Sequence, residues 1–273
     1  MQRRLISSLL NVSLIIFFIH RLLFISNVFF YKFTNKINKT PQMSPVPFII
    51  ISIAPIVAFF SYRLFHSDLN KETLFLIRVC YVAGIVGFGL AWLAEQLFAY
   101  YDLNTIRTLN RILFTSFIVK AGMEQLIMIV LLQLIFFRQK GFSRSYHGLL
   151  FAIMMGLGMV TAENVVNVMN NGGKDFILLK GYTSVPAHFV FGILLGFFFG
   201  ISKFKNMRYV LLMSGLSVAA FSQGVYEFCL YTNDIQLLWI FSIGVIIIAV
   251  LLYVNALKTF YNDQTAEGNQ SSL

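Results

Sequence analysis

Long apolar runs, each ended by a short polar or basic stretch, follow one another along nearly the whole chain. Read as spans they fall at roughly 5–30, 46–62, 73–98, 111–136, 146–169, 185–202, 208–231 and 235–257. Crossing about 30 Å of hydrocarbon takes roughly 20 residues of helix, and a helix satisfies its own backbone hydrogen bonds there. The pattern predicts an all-α, polytopic integral membrane bundle of about seven to eight transmembrane helices. No internal repeat, low-complexity segment or soluble domain of useful size is visible between the runs.

The ends differ from the middle. Gln2, Arg3 and Arg4 precede the apolar "LISSLLNVSLIIFFI". This has the form of a signal sequence without a small-residue cleavage site, and residues 1–42 read as an uncleaved hydrophobic anchor. The stretch from 261 to 273 is polar and expected to be disordered, which leaves 43–260 as the membrane domain. Composition agrees: 58% of residues are hydrophobic and 12% charged, and the mean hydropathy is +0.76, far outside soluble usage.

A net charge of +10 suggests nucleic acid in a soluble protein, but these cations sit in short loops. There they set orientation, and no nucleic-acid partner is expected. Arg138, Lys140 and Arg144 share one loop, and Lys203, Lys205 and Arg208 another. Both loops, and both chain ends, are placed in the cytoplasm, which puts Lys174 and Lys180 in an outer loop. Cys80 and Cys229 fall towards opposite membrane faces, so no disulfide joins them.

Ionisable side chains cost about 2.5–3.5 kcal/mol each at membrane depth, so each asks for a reason. Candidates are Glu124 with Lys120 in "VKAGMEQLIM", Glu163 and Asn164 in "GLGMVTAEN", His188 in "SVPAHFVFG", and Gln223 with Glu227 in "FSQGVYEF". With spans alternating in direction, Glu163, His188 and Gln223 lie towards the outer side, and Glu124 slightly deeper. His188 shares a face with Gly192, Gly196 and Gly200, Glu163 with Gly156, Ala152 and Gly148, and Gln223 with Ala219 and Gly215. Small stripes mark helix contacts, so these polar residues are expected to converge inside the bundle.

The plainer alternative makes each one interhelical hydrogen-bond glue, with Lys120 neutralising Glu124 one turn away. The glycine stripe itself reads as packing. Arg78, Glu95 and Gln133 read as structural or interfacial.

These motifs resemble the PrsW family of bacterial intramembrane proteases, from about Pro45 to Tyr231. Family members carry a Glu-Glu-x-x-Lys helix, a Gly-x-Gly-Phe-Ala-x-x-Glu-Asn helix, a His early in the next helix, and a His-Gly pair in the one after. "GLGMVTAEN" and "PAHFVFGILLGFFFG" match the second and third. Glu124 matches the first glutamate, but Gln125, Met128 and Gln223 stand where the second glutamate, the lysine and the last histidine are expected. CAAX-type membrane proteases, which share a Glu-Glu helix and later histidines, are the runner-up relatives.

The resemblance implies cleavage of a membrane-anchored regulatory protein near the outer face of the bacterial plasma membrane. Glu124, Glu163 and His188 are the implied catalytic residues, with Gln125, Asn164 and Gln223 supporting. The same three are a candidate Zn²⁺ set with one open position; glutamate-activated water without a metal is the open alternative. Pro186 predicts a helix start that puts His188 in the first turn, where the dipole disfavours imidazolium. Two other functions remain: an inactive relative that binds a membrane partner, and a transporter or proton relay.

Overall fold

The computed structural model describes residues 54–58, 61, 69–101, 108–171 and 175–270, the side chains of 170–171, 175–179, 182, 257 and 259–270 excepted. The predicted span 5–30 and the anchor over 1–42 lie outside these residues. Of the span 46–62, only 54–58 and 61 are described; they are helical, and Ala54, Val57 and Ala58 are buried in the core.

Six helices long and apolar enough to cross a membrane follow: α1 (Lys71–Tyr100), α2 (Leu109–Phe136), α3 (Ser145–Asn171), α4 (Asp175–Ser202), α5 (Arg208–Thr232) and α6 (Ile235–Gln270). No strand is present among the described residues. The expected all-α membrane bundle is observed, with fewer helices in the described part than the seven to eight predicted.

Local chemistry sets the ends. Asn70 caps α1 by accepting from the Thr73 amide at 2.8 Å, satisfying one of the orphan donors of the first turn. Asn233 stops α5 in a left-handed conformation, φ 55°, which Asn tolerates better than most residues. Asp234 then caps α6 through the Leu237 amide at 2.9 Å.

The central helix is α3, packed chiefly on α4 and α1, while α5 packs on α4 and α2. Its membrane window is 78% buried, against 22% for α6. Hence α3 can carry a carboxylate, whereas α6 presents Ile240, Ile243, Ile247 and Leu251 to the bilayer. Two backbone contacts make the close approach possible. A Cβ on Gly158 would lie 2.0 Å from the Tyr81 carbonyl oxygen, and one on Gly200 2.0 Å from that of Ser145. Gly192 and Gly196 likewise meet Ile153 and Leu149, so this stripe is packing, as its spacing predicts.

Two expectations are corrected. The helix carrying His188 begins at Asp175, with Pro186 inside it. His188 therefore sits mid-helix, far from the N-terminal dipole, because packing against α3 and α5 holds the segment despite the missing proline N–H. In consequence Lys180 is a buried helical residue and not part of an outer loop. Cys80 and Cys229 are free and buried, as expected.

Within α2, wide π-turns occupy Thr115–Gly122 and Leu132–Phe136. Glu124 and Gln125 follow the first of these directly, a backbone irregularity often found at functional sites.

Candidate active site

Four helices bring the predicted residues together. Glu124 and Gln125 come from α2, Glu163 and Asn164 from α3, His188 from α4 and Gln223 from α5, and all six side chains are buried. His188 Nε2 lies 3.5 Å from Glu124 Oε2 and 3.6 Å from Glu163 Oε2. Its other nitrogen, Nδ1, is 3.0 Å from the Ser184 carbonyl. A carbonyl only accepts, so Nδ1 carries hydrogen and, in the neutral ring, Nε2 turns its lone pair to the two carboxylates.

The supporting residues orient this cluster. Gln125 Nε2 donates to Gln223 Oε1 at 2.6 Å, and Gln223 Nε2 donates to Glu124 Oε2 at 2.5 Å. The acceptor-only carboxylate fixes the direction of the whole relay. Ser184 Oγ donates to Asn164 Oδ1 at 3.0 Å, tying α3 to the turn of α4 whose carbonyl holds His188.

Lys180 escaped prediction, and Glu227, a candidate by its depth, is its partner. Lys180 Nζ lies 2.8 Å from Glu163 Oε1 and donates to both Glu227 oxygens, at 2.8 and 3.1 Å. Lys180, Ser184 and His188 recur at spacing four, as do Gln223 and Glu227. Extending the helix upstream of Pro186 would have put Lys180 on the active face. Lys120 pairs with Glu95 of α1 at 2.6 Å, so Glu124 receives a glutamine and a histidine instead of the neighbouring lysine. Gln133 is structural, accepting from Arg208 across to α5.

Can such a site hold a metal? The donors are two carboxylates and an imidazole, the set zinc takes in catalytic sites with a position left open. Ligand atoms about 2.0–2.1 Å from a tetrahedral ion stand about 3.3–3.4 Å apart, close to the two separations from His188 Nε2. Charge points the same way: with Glu124, Glu163 and Glu227 ionised, Lys180 supplies one compensating charge, and one divalent ion would balance the remainder. Glu163 Oε2 and His188 Nε2 are buried without a hydrogen-bond partner. The set is not closed as it stands, since among the described residues no three His, Cys, Asp or Glu side chains are already gathered around an ion-sized space. Donor chemistry, charge and two edges fit.

Residues 71–255 match the family of PrsW intramembrane metalloproteases. The chain belongs to the PrsW family. It is therefore a membrane-embedded protease, and the described residues of the matched region contain every member of the cluster. Proteins named Protease PrsW are similar along most of their length. The one from Geobacillus kaustophilus is 26% identical over 204 residues, covering 74% of this chain and 86% of that protein. The one from Clostridioides difficile is 21% identical over 215 residues (76% and 87%), and that from Bacillus subtilis 24% over 187 residues (67% and 83%). No solved structure matches the chain.

Membership gives the relay a meaning. Gln125 and Gln223 both stand at positions where this chain departs from the family motif described above, and they are hydrogen-bonded to each other. Gln223 thereby accepts from Gln125 and donates to Glu124, so both ends of its amide are engaged. A further departure, Met128, is buried one turn from Glu124 and packs near Gly156.

Proposed function

We propose that this protein hydrolyses membrane-anchored regulatory proteins near the outer face of the bacterial plasma membrane, with Glu124, Glu163 and His188 holding a zinc-like ion. The observation that carries this reading is the convergence of His188 Nε2 on two buried carboxylate oxygens at 3.5 and 3.6 Å.

Depth supports the outer face. At 1.5 Å per residue Glu163 stands about 27 Å from the start of α3 and about 12 Å from its end. The basic loops lie at the far end of the bundle, where Lys203 donates to the Gln139 and Phe142 carbonyls across them. An excess of Lys and Arg marks the cytoplasmic side. The descending α6 ends on that side too, which accords with a cytoplasmic C-terminus.

When bound, the ion would polarise the scissile carbonyl and lower the pKa of water. The chain's own residues do the rest. Gln223 holds one oxygen of Glu124, Lys180 holds one of Glu163, and the Ser184 carbonyl fixes the His188 ring. Neither Gln125 nor Gln223 exchanges protons, and both oxygens of Glu227 are taken by Lys180. Carrying a proton from water to the leaving amine therefore falls to the oxygen of Glu124 that Gln223 leaves free.

The test is metal analysis of the purified protein and of its Glu124→Ala, Glu163→Ala and His188→Ala variants, with cleavage of model single-span substrates. About one zinc per chain is expected from a closed catalytic set, lost in each variant together with cleavage. Undiminished cleavage by His188→Ala or Glu163→Ala would overturn the assignment.

A further inference from the structure

We propose that Lys180, shared between Glu163 and Glu227, is a positioning residue that sets the divalent-ion affinity of the cluster and the presentation of Glu163. The inference rests on the reading of Glu124, Glu163 and His188 as the ion-holding set. Its own support is independent of that reading. Lys180 is buried and touches three carboxylate oxygens, at 2.8 Å to Glu163 Oε1 and 2.8 and 3.1 Å to Glu227.

The two carboxylates are not equivalent. Glu227 gives Lys180 both oxygens; Glu163 gives one and keeps Oε2 facing His188 Nε2 at 3.6 Å. Holding Oε1 fixes the carboxylate plane, so that a single oxygen is offered to the cluster centre. The ammonium also withdraws negative charge from Glu163, weakening its hold on any cation, while Glu227 draws the ammonium back and restores part of it. Removing the two partners should therefore shift ion affinity in opposite directions. A merely structural salt bridge predicts that both losses damage the site alike.

Zinc affinity of metal-stripped protein in detergent, read by competition with a fluorescent chelator, tests this. Lys180→Met should tighten zinc binding by about tenfold or more, and Glu227→Gln should weaken it by about tenfold, as expected for one unit charge close to the site at low effective dielectric. Lys180→Arg, which keeps the charge, should stay within about threefold of the wild type.

Should Lys180→Met fail to fold, the charge-matched double variant Lys180→Met with Glu227→Gln carries the test. Its affinity should return to within about threefold of the wild type, while kcat on a single-span substrate falls about tenfold at unchanged KM, as for the loss of an orienting contact. Single variants that shift zinc affinity in the same direction, or not at all, would overturn the proposal, as would a double variant with wild-type kcat. Zinc binding by the wild type that survives His188→Ala would instead overturn the underlying ion site, and the proposal with it.

Discussion

Restoring the family residues one at a time should damage the site, and restoring them together should repair it. Gln125→Glu alone sets an acceptor-only carboxylate against Gln223 Oε1, now 2.6 Å from the donor it would lose. Rotating the Gln223 amide moves the conflict without removing it, because Oε1 would then face Glu124 Oε2, 2.5 Å from the present donor. One of the two contacts must become acceptor against acceptor. A lost hydrogen bond to a charged group and an extra buried carboxylate cost about 2–4 kcal/mol together.

Gln223→His alone is milder. One ring nitrogen can donate to Glu124 and the other accept from Gln125, which confines the cost to about 1 kcal/mol. In the double variant the new imidazole can donate to both carboxylates, so a favourable coupling of about 1–3 kcal/mol is expected. Unfolding in detergent micelles gives the stability cycle, and cleavage of a single-span substrate gives the functional one. The reasoning fails if Gln125→Glu alone is neutral, or if the two changes simply add.

Two glycines give opposite outcomes to one substitution. Gly158→Ala puts a Cβ 2.0 Å from a carbonyl of α1 and should cost about 3 kcal/mol or more, whereas Gly89→Ala meets nothing within 4 Å and should gain up to about 1 kcal/mol of helix propensity; unfolding of both variants checks the pair. Glu95→Gln strands the Lys120 ammonium and should destabilise more than the double change Lys120→Met with Glu95→Leu, since an apolar pair leaves no unpaired charge. If the double variant is the less stable one, that pair contributes more than mutual neutralisation. Asn164→Ala frees the Ser184 hydroxyl and should cost about 1 kcal/mol while reducing kcat through the His188 ring, whereas loss of stability at unchanged kcat would confine Asn164 to structure.

Much of the site was legible because the membrane makes polar residues conspicuous. Glu124, Glu163, His188 and Gln223 stood out as costly positions, and the small residues on the faces of Glu163, His188 and Gln223 showed which side was interior. The glycine stripe of α4 marked the face that packs against α3. What escaped depended on a single boundary. Pro186 after Thr183 and Ser184 reads as a helix start, yet α4 runs from Asp175 through it, and so Lys180 was assigned to a loop. Helix ends follow from tertiary packing as much as from local signals. The partner of Lys120 was hidden differently: a turn neighbour at spacing four is the default, but Lys120 lies in a π-turn, where the register that pairs i with i+4 is broken.

The amide relay also changes what the cluster asks of the bilayer. Each carboxylate at membrane depth costs about 2.5–3.5 kcal/mol on insertion scales, and three are already present with one lysine to offset them. A second glutamate at position 125 would add a fourth, tolerable when a histidine opposite can share a proton with it. Once the histidine is replaced by Gln223, that glutamate has no proton-sharing partner, and an uncharged amide of nearly the same shape becomes the better occupant. The reverse holds as well, since Gln223 needs a donor on its Oε1 once its amino group is committed to Glu124. Each departure is thus disfavoured alone and tolerated with the other. The relay therefore bears on how Glu124 is oriented, while the approach of His188 Nε2 to Glu124 and Glu163 does not pass through Gln125.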